Sequence, residues 1–326
     1  MQILGRRDLL LLGATMALAL RPAAAARKIP RIGFIGSGAE NANLHLLEAF
    51  RDGLEGSGWM EQKDVVILDR WPADHTEQLP RIVRELIGAG LDLLVTAGTP
   101  ATLAARSATA TVPIVMVGVS DPVALGIVSS LDRPGGNTTG LSLNSLGLIA
   151  RRLELLRALV PSLSRIAVII RNDPGLEQRL LDIRTSAAQL GIRTVEFVAP
   201  TGRAVELAFL WLRSEQCDAL YVASGPLGPA KRAEIIKLSA EARIPAIYSY
   251  PVCPAAGGLM SLAADDKDLF RRAATYVHEL LNGASPADLP VGEPGKFKLV
   301  INLKTAKALG LTIQQSILAR VDEVVE

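Results

Sequence analysis

The strongest constraint in this chain is a set of strand-like phrases that occurs twice in the same order. Arg31–Gly36 (Arg-Ile-Gly-Phe-Ile-Gly) is answered by Arg165–Ile170 (Arg-Ile-Ala-Val-Ile-Ile). Gly90–Pro100 is answered by Gln216–Pro226, with Asp92 matching Asp218 and Pro100 matching Pro226. Thr111–Pro122 is answered by Arg243–Pro251, where Pro113 matches Pro245 and Gly118 falls at Tyr250. The central run Ile114–Val117 reads as a strand buried on both faces, as in a parallel sheet. It ends in a polar turn cluster, Gly118, Ser120, Asp121 and Pro122. Ordered repetition of such units predicts an α/β chain of two similar lobes with mostly parallel sheets. In open parallel sheets ligands bind outside the carboxyl ends of strands. The opposed strand ends of the two lobes are therefore the expected site.

The first 26 residues read as a targeting segment. Arg6 and Arg7 precede an apolar stretch, Leu9–Leu20, that is too short to span a bilayer comfortably. Ala23–Ala26 supplies small residues for cleavage, so the mature chain is expected to begin near Arg27 and to be periplasmic. Arg6-Arg7-Asp8-Leu9-Leu10 resembles a twin-arginine signal, although Gly5 and Leu9 depart from the usual pattern and leave the ordinary secretory route open. Removing this segment takes away Arg6, Arg7, Arg21 and Asp8, which cancels the chain's net charge of +2. The basic character thus belongs to the signal, and no nucleic-acid footprint remains. Cys217 lies before one strand of the second lobe and Cys253 after another, at opposite ends of a parallel sheet, which argues against a disulfide. Three scattered histidines (His45, His75 and His278) give no metal cluster.

Taken in order, strands are expected at 32–35, 65–68, 91–95 and 114–117, then 166–170, 193–198, 219–223 and 246–248. Helices are expected at 41–56, from about 76 to 88, 101–108, 150–159, 177–190 and 206–213. Thr99 reads as the N-cap of the third helix with Pro100 at its first position, and Asp121 as a cap ahead of Pro122. Leu141–Leu143 marks the first crossing between lobes. Gly258–Leu262 reads as a crossing strand, and Asp265-Asp266-Lys267-Asp268 as the cap of a long helix reaching about Asn282. A strand at 298–301 and a short helix at 305–309 close the chain. Gly36-x-Gly38 lacks the rest of a dinucleotide fingerprint or a P-loop. No nucleophile elbow or metal-ligand spacing is present either.

Several stretches together resemble one family: Val117–Pro122, Arg133–Gly140, Gly257–Ser261 and, most specifically, Leu299–Leu311 (Leu-Val-Ile-Asn-Leu-Lys-Thr-Ala-Lys-Ala-Leu-Gly-Leu). They resemble the bacterial ABC-transporter substrate-binding proteins that include tryptophan and tyrosine binders. The resemblance implies a type I periplasmic-binding-protein fold with a three-crossing hinge. Residues 27–141 with 264–288 would form the first lobe, and 142–263 with 289–326 the second. It further implies no enzymatic activity, no cofactor and no metal. The protein would be a monomer that hands a small polar metabolite to a separate permease and ATPase. A periplasmic sensor presenting its closed form to a membrane receptor is the alternative.

On this reading Gly36, Ser37, Thr96, Gly98, Thr99, Ser120 and Asp121 face the ligand from the first lobe. Asn172, Ser224, Gly225, Tyr248 and Tyr250 face it from the second, with Asp265 at the hinge. An amino-acid ligand would place its carboxylate at helix amides near Thr99 or Ser37. Its ammonium would meet Asp121 or Asp265, and an aromatic body would stack on Tyr248 or Tyr250. Capping for Asp121 and core packing for the tyrosines are the competing roles.

Overall fold

The computed structural model describes residues 28–326 apart from 37, 39, 74, 144, 173–175, 200–203 and 224–228. The expected signal segment and the predicted site residues Ser37, Ser224 and Gly225 lie outside the described residues. The chain runs β1 (Arg31–Ile35), α1 (Glu40–Gly56), β2 (Val66–Arg70), α2 (Leu79–Gly88), β3 (Leu93–Ala97), α3 (Gly98–Ala108), β4 (Ile114–Val119) and β5 (Thr138–Ser142). Helix α4 (Ser145–Leu159) follows. The pattern then repeats as β6 (Arg165–Arg171), α5 (Leu176–Gln189), β7 (Arg193–Ala199), α6 (Ala204–Ser214), β8 (Ala219–Val222), α7 (Pro229–Glu241), β9 (Ala246–Tyr248) and β10 (Met260–Ala264). Helix α8 (Asp266–Leu281) precedes β11 (Phe297–Asn302), α9 (Leu303–Ala308), α10 (Gln315–Leu318) and β12 (Glu323–Val325).

Two sheets result, in the orders β2-β1-β3-β4-β5 and β12-β11-β10-β9-β8-β6-β7. Reading the second from β7 to β10 reproduces the first strand for strand. Its extra part is β11, antiparallel to β10, with β12 parallel to β11. Strands 91–95 and 219–223 of the sequence reading thus lie in different sheets at equivalent places. The hydrogen bonds repeat too. Asp92 N–H donates to Arg31 O and Asp218 N–H to Arg165 O, both at 2.9 Å. Leu94 N–H donates to Pro113 O at 2.9 Å and Leu220 N–H to Pro245 O at 2.8 Å. The proline suits this position because its carbonyl accepts while its missing N–H lies just before the strand begins.

Each sheet is buried on both faces, which is why its strands read as continuous apolar runs. In the first lobe, Ile32, Phe34 and Val95 pack under α1 and α8 with Phe50, Phe270 and Val277. Ile35, Leu94 and Ile114 pack under α2 and α3 with Leu79, Val83 and Leu86. In the second lobe, Val168 and Ile247 pack under α4 and α5 with Leu153, Leu156 and Ile183. Ala167, Ile169 and Tyr248 pack under α6 and α7 with Phe209 and Ile235. The helix after the last parallel strand of each lobe therefore covers the other lobe's sheet.

Several boundaries differ from the sequence reading. Residues 289–292 stay with the first sheet: Val291 N–H donates to Leu131 O, Gly292 N–H to Gly140 O, and Ser142 N–H to Gly292 O. The segment was expected in the second lobe; its backbone instead extends the edge at β5. Helix α4 starts five residues earlier than expected. Helix α7 was not expected at all, because its apolar residues are interleaved with Lys231, Arg232, Glu234 and Lys237. Asp121-Pro122 opens a series of turns rather than a helix. Cys217 and Cys253 are free thiols; burial pushes the Cys217 thiol up to about 11 and the Cys253 thiol up to about 12.

Candidate functional site

The carboxyl ends of the first sheet carry three loops. The loop after β1 begins at Gly36, which is buried and donates its N–H to Arg70 O at 2.9 Å. A Cβ at this position would overlap the ring of Trp71, so only glycine lets the ring lie across the strand end. Trp71 is held from three directions. Its Nε1–H donates to Asp69 Oδ2 at 2.9 Å, its ring centroid lies 5.8 Å from that of Phe34, and Ala73 N–H ties the same loop to Gly38 O at 3.1 Å. Gly38 itself has φ of 70°, a left-handed conformation that costs other residues energy. Trp71 is not among the site residues expected from the sequence; the signal available is a large aromatic level with a glycine loop.

After β3 the chain enters α3 directly. Ala97 is the N-cap and has no side chain to cap with, so Thr99 is not the cap the sequence suggested. Gly98, with φ of 78°, makes the sharp entry. Thr99 is half-buried in the first turn. Thr96 is fully buried, and its Oγ1 lies 2.8 Å from Thr102 Oγ1, which donates in turn to Gly98 O at 2.9 Å. This closed chain occupies the Thr96 hydroxyl inside the lobe and removes it from the ligand-facing set.

After β4, Gly118 (φ of 75°) accompanies a register shift between Val117 and Val119. The irregularity turns Ser120 and Asp121, both half-buried, out at the strand end. Asp121 Oδ1 accepts from Ala124 N–H at 2.9 Å, so one carboxylate oxygen is committed to the turn.

In the second sheet Asn172 follows β6 and is exposed. Tyr248 does not reach the cleft. Its side chain is buried against α7 and its hydroxyl donates to Ser239 Oγ at 3.3 Å; burial pushes the phenol upward. The reason is strand alternation: Tyr248 shares its face with Ala246, toward α6 and α7, whereas Ile247 and Ser249 point the other way. Ser249 directly follows the strand, and its buried Oγ has no hydrogen-bond partner among the described residues. Tyr250 is half-buried with the Arg232 guanidinium 5.3 Å from its ring centroid.

At the hinge Asp265 is the N-cap of α8, accepting from Asp268 N–H at 3.2 Å, and its own N–H donates to Lys296 O at 3.0 Å. It thus joins the second and third crossings. Beside it, desolvation and then the Asp265 charge push the Asp266 carboxyl up to about 6. Among the described residues no three His, Cys, Asp or Glu side chains converge on a point that could hold a metal ion. No helix among them is long and apolar enough to cross a membrane.

Two matching α/β lobes, joined by three crossings (β5 to α4, β10 to α8 and α8 back to β11), with polar loops at their carboxyl ends, define a two-lobed ligand-binding protein of the type I periplasmic class. Residues 39–325 match the family described as ABC transporter substrate binding protein, and the chain belongs to that family. It is 29% identical over 265 residues to a tyrosine-binding protein of Clostridioides difficile, covering 81% of this chain and 76% of that one. Among solved structures, an ABC domain from Streptococcus pneumoniae in complex with L-Trp is similar at a TM-score of 0.83 and 25% identity, covering 91% of this chain and 99% of that chain. A conserved domain protein from Vibrio cholerae is similar at 0.82 and 28% identity, covering 91% and 100%. The fold and the family are those expected from the repeated strands and the C-terminal motif.

Proposed function

We propose that this substrate-binding protein is exported, loses residues 1–26 near Ala26, and captures an aromatic amino acid in the periplasm for a separate permease and ATPase. The observation that carries the ligand class is the likeness, across nine-tenths of the chain, to a structure holding L-Trp. The strand-end chemistry supports it. First-turn amides of α3 at Gly98 and Thr99 suit a carboxylate. Asp121 has one carboxylate oxygen outside its turn bond for an ammonium, with Asp265 as the other acidic group near the hinge. Ser120, Asn172 and Tyr250 add polar contacts from both lobes. A ligand bridging the lobes stabilises the closed form by its differential affinity for it.

The test is isothermal titration of the purified protein with L-tryptophan, L-tyrosine, L-leucine, L-glutamate and glucose. Binding of an aromatic amino acid in preference to the others is expected, with a melting temperature that rises with ligand concentration. Binding of none of the amino acids would remove this reading.

A further inference from the structure

We infer that Trp71 is the aromatic platform of the site and sets its preference for a ring-bearing ligand; this inference rests on the amino-acid reading above. The argument begins with position. Trp71 directly follows β2, whose last residue Arg70 pairs with Ile35. It therefore stands level with Gly36, in the row of loops where ligands meet open parallel sheets. Its indole is not a mobile surface ring. Asp69 holds Nε1, Phe34 backs it, and the absent side chain of Gly36 makes the space it fills. Phe34 is in turn braced by Phe50 at 5.7 Å and Phe270 at 5.9 Å between centroids. With its polar atom and one side engaged in this way, the ring is half-buried at the strand end.

The other aromatics considered are less available. Tyr248 is turned into the core under α7, and the Tyr250 ring already carries the Arg232 guanidinium. A rigid ring whose polar atom is already satisfied offers stacking area at little entropic cost. Its hydrogen bond to Asp69 leaves no buried polar atom to be satisfied when an aromatic side chain covers it. The feature is also one-sided: Ile35 with its partner Arg70 corresponds to Ile169 with its partner Phe197, so Val198 stands in the second lobe where Trp71 stands in the first.

The experiment compares wild type with Trp71→Leu, Trp71→Met and Trp71→Phe. L-tryptophan, L-tyrosine and L-leucine are titrated calorimetrically, with melting temperatures measured alongside. Loss of the ring face in the Leu and Met variants is expected to weaken binding of the two aromatic amino acids by roughly tenfold. Binding of L-leucine should change much less, so the selectivity ratio falls. Trp71→Phe should restore most of the ratio. L-tyrosine should change the emission of the wild-type protein, and most of that change should vanish in Trp71→Phe, because Trp59 and Trp211 lie elsewhere. If the Leu and Met variants fail to fold, the emission result for Trp71→Phe decides. Wild type binding aromatic amino acids, with affinity ratio and emission change intact in every folded variant, overturns the platform while leaving the proposed function in place. Wild type binding no amino acid overturns both.

Discussion

The two lobes are alike at the ends of their strands that point away from the cleft and unlike at the ends that face it. At the amino ends, Asp92 and Asp218 each close the same backbone ring, accepting from Arg31 N–H and Arg165 N–H at 2.8 Å. At the carboxyl ends the first lobe has a glycine loop roofed by Trp71 and a left-handed Gly118, whereas the second has Asn172, Ser249 and a tyrosine under Arg232. Duplicated architecture is retained where it holds the sheet and diverges where it meets ligand. Each lobe's difference is therefore a guide to function, and each similarity a guide to stability.

The largest effect is expected where the lobes share a place but not a residue. Gly140 on β5 sits opposite Met116, as Ser261 on β10 sits opposite Tyr248. A Cβ on Gly140 would run into the Met116 backbone at a φ of 131°. Gly140→Ala should cost about 3 kcal/mol or more, since backbone cannot give way as a side chain can. Ser261 is fully buried, and its Oγ has no hydrogen-bond partner among the described residues. Ser261→Ala should be neutral or stabilise by up to about 1 kcal/mol. Urea unfolding of both variants checks the contrast, and equal effects would break the equivalence.

Next comes the aspartate pair. Asp218 accepts from Ser164 N–H, Ser164 Oγ–H and Arg165 N–H. Asp92 accepts from Arg31 N–H and the exposed Lys28. Asp218→Ala should cost roughly 2–3 kcal/mol and Asp92→Ala roughly 1–2 kcal/mol. Burial alone would raise the Asp218 carboxyl, but the bonds from Ser164 and Arg165 outweigh it and hold it low. A carboxyl lower in the folded than in the unfolded state stabilises above its unfolded value, and that gain is lost as pH falls through the folded value. The difference between wild type and Asp218→Asn should therefore shrink at acid pH.

The hinge gives the opposite sign and a smaller effect. Asp266 is raised, so its protonated form favours folding, and stability is lost as pH rises from about 4 through about 6. Asp266→Asn should stabilise by about 1–2 kcal/mol at pH 8 and by nothing near pH 4. Melting curves across that range read the difference directly.

Strand positions were legible because a doubly buried parallel strand must be an apolar run, and Pro113, Pro245, Asp92 and Asp218 punctuate those runs in both lobes. Side-chain direction at strand ends was not legible. A three-residue strand such as β9 offers too little alternation to tell whether Tyr248 or Ser249 turns inward, and Tyr248 lies in the core, not in the cleft where the sequence suggests it. The entry to α3 differs from the sequence expectation for a related reason. Thr99-Pro100 has the form of a cap, but a left-handed Gly98 begins the helix earlier. Trp71 escaped notice because its role depends on a void left by Gly36, which neighbours it only across strands.

The exchange of α4 and α8 between lobes bears on how the chain is made. Synthesis delivers β1 to β5 and α1 first, yet the cluster around Phe34 and Phe50 is completed only when Phe270, Ala273 and Val277 emerge on α8. The first sheet must wait, half-clothed, until more than four-fifths of the chain exists. A fragment ending near residue 143 would expose that apolar face and aggregate rather than fold. The seam between the lobes is thus no place to cut the protein in two.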